Sequence, residues 1–318
     1  MSSANPDLAA EVLTVVLEHQ RQAPGDLGCA ERPCRVCLGT HLEQVERFIA
    51  AGEPVEFVLP AFPAKSPNPA KVLGHLPDLA EVAALTFLQS LCDRIARIYE
   101  PGARLVICSD GRVFGDLIEV PDAHISDYKA ALTELIVNLG ADGLTQFDLD
   151  DVHPGVPHDE MRRVLVERYA EPLEVLRAEV KAGGPELALY RGITRFMFED
   201  RFGPTWTGSR AALQREARAR AYGVIQRSRA WADLVSEHYP DSVRLSIHPH
   251  RCGAEKIGVH LLETEDSWLT PWHAVAIEER GRLRLVKRAE AEASGAELVY
   301  VDGRPSHYRA SARFSRCA

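Results

Sequence analysis

Between residues 55 and 108 the chain changes hydrophobic period twice, and this limits the fold more than any other feature. Val55–Leu59 is a short β-rich run that empties into Pro60-Ala-Phe-Pro-Ala-Lys-Ser-Pro-Asn-Pro69, where four prolines forbid regular structure but stiffen the loop. Asp78 with Glu81 three residues on has the form of a capping box. Behind it Leu79, Val82, Leu85, Leu88, Leu91, Ile95 and Ile98 recur as one helical stripe. Arg104–Cys108 is then apolar without alternation, as a strand covered on both faces is. Strand, helix, strand predicts a parallel βαβ unit and an α/β fold: a Rossmann-like sheet flanked by helices. In such sheets ligands gather at the carboxyl ends of strands, here the Phe62–Asn68 and Ser109–Arg112 loops, which are expected to face one crevice.

The remaining elements follow from period and punctuation. Leu42, Val45, Phe48 and Ile49 predict a helix from His41 that Gly52 can close. Helical patterns cover Ser126–Leu139, His158–Lys181, Glu186–Asp200 and Ser209–His238. From Val243 the reading returns to β, with Val243–Ile247, Ile257–Leu262, Ala274–Glu278 and Arg282–Val286, the last two joined through Arg280-Gly281. This additional C-terminal β structure is either a second sheet or a continuation of the first. Residues 280–318 hold nine Lys/Arg against four Asp/Glu, a net of +5 that leaves −14 on residues 1–279. We divide the chain into an N-terminal helical segment (1–54), an α/β catalytic domain (55–279), and a hairpin partner strand with a basic tail (280–318).

Composition narrows the function classes. With 318 residues, 46% hydrophobic and 26% charged, the chain has material for a full core. A net charge of −9 argues against nucleic acid or anionic membrane as a partner. No run approaches the roughly 20 apolar residues of a spanning helix, and Asp7, Glu11, Glu18 and His19 make the opening unlike a signal peptide, so a cytoplasmic protein is expected. Seven cysteines is an odd count in a long chain, which favours reduced thiols. Among them Cys29, Cys34, Cys37 and His41 form C-x4-C-x2-C-x3-H, the ligand types of a structural zinc site; the alternative is buried thiols beside a helix N-terminal histidine.

Several constellations can carry chemistry. Lys65, Ser66 and Asn68 offer a cation, a hydroxyl and an amide on a stiff loop suited to phosphate or carboxylate, and Lys65 could instead be an amine nucleophile. Asp110 and Arg112 sit on a glycine turn at the end of a buried strand; the alternative is an Asx turn with a surface ion pair. Alternation puts Arg244, Ser246 and His248 on one strand face, with Lys256 and His260 flanking the next strand. Trp272 and His273 precede another. His248 and His273 are candidates for acid/base work. Arg191 and Arg195 could clamp an anion or merely face water, and Arg210, Arg215, Arg218, Arg220, Arg227 and Arg229 read as a solvated helix face. Asp116 and Asp122 read as loop residues without chemical duty.

At these motifs the chain resembles the pyoverdine/dityrosine-biosynthesis family of isonitrile (isocyanide) synthases. The resemblance rests on Phe57-Val-Leu-Pro-Ala-Phe-Pro-Ala-Lys-Ser-Pro-Asn68, Lys71-Val-Leu-Gly74, Leu88-Gln-Ser-Leu-Cys92, Ser109-Asp-Gly-Arg-Val-Phe114, Arg244-Leu-Ser-Ile-His-Pro249 and Thr270-Pro-Trp-His273. It implies conversion of an amino acid's α-amine, commonly of tryptophan or tyrosine, into an isonitrile with ribulose 5-phosphate giving its ketone carbon. No redox cofactor is then expected, and an iron(II)/2-oxoglutarate oxygenase is the expected downstream partner. Chemical need assigns phosphate to Lys65, Ser66 and Arg112, with Arg191 or Arg195 as alternates, and proton transfer to His248 and His273. Asp110 would orient the ammonium or sugar hydroxyls, Arg244 or Lys256 would hold the carboxylate, and Trp272 would wall an aromatic pocket. The competing readings are a dityrosine-type enzyme forming N-formyl-tyrosine, a sugar-phosphate lyase with Lys65 as Schiff-base amine, and a zinc-stabilised interaction protein.

Overall fold

The computed structural model describes residues 6–23, 25–26, 28–29, 33–203, 206–262 and 269–310. Helices α1 (Pro6–Leu17) and α2 (Arg35–Ala51) precede β1 (Val55–Leu59), α3 (Leu79–Ile98), β2 (Ala103–Cys108), α4 (Gly111–Ile118), α5 (Asp122–Asn138) and β3 (Leu144–Phe147). A helical middle follows: α6 (Leu149–Val152), α7 (His158–Tyr169), α8 (Leu173–Ala182), α9 (Gly184–Arg201) and α10 (Arg210–His238). The chain then returns to β4 (Val243–Ser246), β5 (Ile257–Gly258), β6 (Val275–Glu279) and β7 (Arg282–Val286), and ends in α11 (Arg288–Ala293), β8 (Glu297–Val301) and β9 (Arg304–Arg309).

The first five strands form one parallel sheet in the order β3-β2-β1-β4-β5. All five residues of β1 are buried because both faces are covered. Phe57 and Leu59 join the core that α1, α2, α3 and α5 build with Leu13, Val45, Leu88 and Leu132. Val58 and Val106 point the other way, against Leu165 of α7 and Trp231 and Leu234 of α10. This two-sided cover is why β1 and β2 lack polar alternation. The chain leaves β1 toward β2 and β3 and returns to β4 on the other side, so the topological switch point lies between β1 and β4.

The C-terminal β structure is a separate sheet, β7-β6-β9-β8. It packs on the first turn of α3 through Ala80, Ala274, Ala276 and Leu285. The boundary expected at residue 280 falls inside the β6–β7 hairpin, and the tail beyond Ala310 lies outside the described residues. The helix expected over His158–Lys181 is two helices, because Pro172 caps α8 and cannot continue α7. Of the α10 arginines expected on a solvated face, Arg210, Arg215 and Arg218 are exposed, whereas Arg220, Arg227 and Arg229 are clamps. Arg227 grips Asp116 of α4, and Arg229 joins Glu171, Glu179 and Glu186. Among the described residues no helix is long and apolar enough to cross a membrane.

Candidate active site

The loop after β1 is held by buried charge. Lys65 Nζ donates to Asp78 Oδ2 at 2.9 Å and to the Pro271 carbonyl at 2.9 Å, and lies 2.7 Å from Glu81 Oε2. Asp78 and Glu81 are also the capping box of α3, with the Asp78 N–H donating to Glu81 at 2.9 Å, so one pair of carboxylates starts a helix and neutralises a lysine. Tyr128 donates to the other Glu81 oxygen at 3.1 Å. Burial pushes Glu81 up to about 7, opposed by the Lys65 charge. Burial works against the Lys65 ammonium, but Glu81 and Asp78 outweigh it and hold its pKa above the ordinary lysine value. Three acceptors thus occupy the three N–H groups of a charged, buried amine. This corrects the expectation that Lys65 is a nucleophile or phosphate ligand.

Beside it the loop meets α9. Ser66 Oγ donates to Asp200 Oδ1 at 2.7 Å and accepts from the Asn68 N–H at 3.1 Å, while the Ser66 N–H donates to the Trp272 carbonyl at 2.9 Å. Asn68 Oδ1 in turn accepts from the Ala70 N–H. Lys71 Nζ donates to Asp200 at 2.9 Å, and its side chain keeps 25% of its surface exposed. His273 Nδ1 lies 3.7 Å from the same carboxylate, too far to bond, and has no hydrogen-bond partner among the described residues. Desolvation, opposed by Asp200 and reinforced by Lys71 and Lys65, pulls His273 down to about 4. Its neutral imidazole therefore has an unused nitrogen beside a carboxylate and an ammonium. Trp272 is buried against Phe62 at 5.1 Å, so it backs the loop instead of walling a pocket.

The β2 loop closes on the β1 loop. Ser109 Oγ donates to the Phe62 carbonyl at 2.9 Å, and Phe62 itself takes a left-handed φ of 53°. A Cβ at Gly111 would lie 2.0 Å from the Pro63 carbonyl oxygen, so glycine is what lets the two backbones touch. Asp110, between Ser109 and Gly111, precedes α4 but makes no side-chain cap bond. Burial pushes its carboxyl up to about 7, against the pull of its own backbone N–H. A carboxyl poised near neutrality at a strand's carboxyl end can both take and give a proton. Arg112, expected at the phosphate, turns away: it donates to Asp150, to Asp122 and, at 2.6 Å, to Ser126. Asp122 also pairs with Arg162, so it ties α5 to α7 and is more than a loop residue.

At the end of β4, Ser246 Oγ accepts from the His248 N–H at 3.1 Å. His248 lies beyond the strand and is exposed, with its imidazole held below the ordinary value by desolvation and by the charges of His250, Arg21 and Lys256. Arg244 does not share this position. It pairs with Glu255 at 3.0 Å and reaches the Ala232 carbonyl of α10, and the Arg244 charge joins desolvation in lowering Lys256. Arg191 and Arg195 are exposed on α9, with Arg195 paired to Glu199, and no residue of the crevice contacts either in the described structure. Of the expected zinc ligands Cys29, Cys34 and Cys37 do converge, but the fourth group is Cys252; His41 is buried and hydrogen-bonds Gln44.

The family model for pyoverdine/dityrosine biosynthesis proteins matches residues 45–299. The chain is 48% identical to an L-tyrosine isonitrile synthase of Pseudomonas aeruginosa, over 99% of this chain and 98% of that protein. The chain belongs to the pyoverdine/dityrosine biosynthesis family. It is also 44% identical to an L-tryptophan isonitrile synthase of Fischerella ambigua, over 95% of this chain and 91% of that one. The crystal structure of the PvcA protein from Pseudomonas aeruginosa superposes with a TM-score of 0.91 at 48% identity, covering 96% of this chain and 100% of that chain. With relatives so named across nearly the full length, the chain is an enzyme of the isonitrile-synthase type. The matched range holds Lys65, Lys71, Asp110, Asp200, His248 and His273. Cys29, Cys34 and Cys37 precede it. Sequence reasoning missed Asp200, Lys71 and the second use of Asp78 and Glu81. Lys71 stood within a quoted motif, whereas Asp200 gave no local signal.

Proposed function

We propose that this family member converts the α-amine of tyrosine or tryptophan into an isonitrile, with ribulose 5-phosphate supplying the carbon through its ketone. The neutral amine attacks the ketone, the carbinolamine loses water to an imine, and proton transfers precede cleavage of the two carbon–carbon bonds around the former carbonyl. The flanking sugar fragments leave one as an aldehyde and the other, after taking up a proton, as an alcohol, so that no external oxidant or reductant is required. The observation that carries this reading is the 44–48% identity over nearly the full length to tyrosine and tryptophan isonitrile synthases, and the acid/base candidate is Asp110, its carboxyl pushed up to about 7 by burial where the β1 and β2 loops touch. There it can take the ammonium proton and return it to a leaving hydroxyl. His273, neutral and with a free ring nitrogen, is a second proton carrier. Lys71, the half-buried cation of the crevice, holds the phosphate or the carboxylate. His248, beyond the end of β4, is the third candidate for proton transfer.

In this reading the chemistry draws on acid/base groups and no redox cofactor, and an iron(II)/2-oxoglutarate oxygenase acts on the product. The lyase alternative loses support because Lys65 has no free amine. Incubation with an equimolar mixture of tyrosine and tryptophan plus ribulose 5-phosphate, followed by mass spectrometry, tests substrate and product together. One isonitrile is expected; a product heavier by one water is the N-formyl compound and moves the chain to the dityrosine-type reaction.

A further inference from the structure

The four thiols Cys29, Cys34, Cys37 and Cys252 have ligand atoms all within 4.8 Å of one another. Their closest separations are 3.5 Å for Cys29 to Cys37, 3.5 Å for Cys34 to Cys252 and 3.8 Å for Cys37 to Cys252. Four sulfurs about 2.3 Å from a central zinc stand about 3.8 Å apart along the edges of a tetrahedron. The observed separations lie at that edge length, and well beyond the roughly 2.05 Å of a bonded sulfur pair. We propose that these cysteines form a tetrathiolate zinc site that staples the N-terminal arm and α2 to the loop between β4 and β5.

The surroundings are arranged for negatively charged sulfur. Cys34 caps the 17-residue helix α2 and Cys37 lies in its first turn, where unpaired N–H groups favour negative charge. The Gln20 side-chain amide and the Gly253 N–H both point at Cys37 Sγ, each at 3.4 Å. Such donors are the outer-shell partners of a metal-bound thiolate. Asp26 accepts from the N–H groups of both Gly28 and Cys252, fastening the two ligand-bearing segments to each other. A Cβ at Gly28 would lie 2.7 Å from the Cys252 Cβ, so this approach needs glycine there. A closed set of four protein ligands leaves no open position, which makes the site structural.

What the metal would hold is an added edge. The arm after α1 pairs with the sheet through single bridges, Gln20 to Val259 and Gln22 to His250. The Arg21 N–H also donates to the Gly258 carbonyl at 2.7 Å. The arm is further hydrogen-bonded to this edge through His19, Arg21 and Ala23, including the Arg21 guanidinium on the Ile247 carbonyl, and a zinc cross-link spanning more than 200 residues of chain would fasten its far end to the same loop. The loop so fixed is the one that carries His248.

The test uses the full-length chain, purified reduced and without a polyhistidine tag. Elemental analysis is expected to find about one zinc per chain. Exchange into cobalt(II) is expected to give the strong sulfur-to-cobalt charge-transfer band and the visible bands of a tetrahedral tetrathiolate. Cys252→Ser should lose the metal while His41→Ala keeps it. Should Cys252→Ser fail to fold, the cobalt spectrum of the unaltered chain still decides. Folded, reduced protein that takes up neither zinc nor cobalt overturns the proposal. So does iron in place of zinc, disulfide-linked cysteines in the purified chain, or metal lost on His41→Ala and kept on Cys252→Ser.

Discussion

Replacing Lys65 by Met removes one charge and little volume from a site closed to bulk solvent. The lysine and Glu81 side chains are 0% exposed and that of Asp78 is 3% exposed, so the substitution leaves two buried carboxylates facing each other. Breaking a buried ion pair from one side costs about 3–5 kcal/mol. An unfolding entropy of about 2.1 cal/mol/K per residue makes that a fall in Tm of roughly 4–8 °C for a chain of this size. The loss also has a pH signature. Glu81 already sits at about 7, above its ordinary 4.5, and removing the ammonium raises it further. A carboxyl with a raised folded pKa binds its proton better in the folded state, so stability falls as pH rises from the unfolded value through the folded one. The gap between Lys65→Met and the parent chain should therefore be largest at pH 8 and shrink toward pH 5. Calorimetry at the two pH values reads this directly. A variant that melts with the parent at pH 8, or a gap that widens on acidification, refutes the charge-cluster argument.

The remaining predictions concern the two touching loops. Asp110→Asn should lower the rate of isonitrile formation about 10²–10⁴-fold and remove the rise of activity through pH 7. Since the raised Asp110 carboxyl costs stability above that pH, the same variant should melt no lower than the parent at pH 8. Gly111→Ala, pressing a methyl group onto the Pro63 carbonyl, should cost about 1–3 kcal/mol in chemical denaturation and abolish turnover. Gly192→Ala, with nothing within 4 Å of the new Cβ on α9, should raise stability by up to about 1 kcal/mol and leave turnover unchanged.

What the sequence made legible was local and periodic. Val55–Leu59, the Asp78 cap of α3 and Arg282–Val286 appear in the structure with the same residues, because their signals are complete within one element. The α3 stripe is buried at Leu85, Leu88, Leu91 and Ile95 but exposed at Ile98 at the helix end. Boundaries failed where a proline reset the chain. Asp122, not Ser126, opens the first turn of α5 because Pro121 caps it, and Pro172 splits one expected helix into α7 and α8. Strand β3 and the β8–β9 pair went unread, being short or half-exposed and without clean alternation. The crevice was legible as two loops at strand ends, since a parallel sheet dictates that placement. Its working contacts were not. Ser66 meets Asp200 across 134 residues and Cys34 meets Cys252 across 218, separations at which pattern carries no information. Charge led the reading astray in the same way. Lys65 looked free for a ligand because its buried acidic partners are fixed only by the fold, and Arg112 takes the ion-pair alternative, with the half-exposed Asp122 and Asp150 as partners.

The origin of the isonitrile carbon is read by isotope labelling. The purified enzyme is given tyrosine and tryptophan with ribulose 5-phosphate carrying carbon-13 at the ketone position, and the products are read by mass spectrometry and carbon NMR. One amino-acid-derived isonitrile with the label in its terminal carbon is expected, formed by the parent chain and strongly diminished in Asp110→Asn. Folded enzyme that consumes neither substrate, or an isonitrile whose terminal carbon is unlabelled, contradicts the proposed reaction.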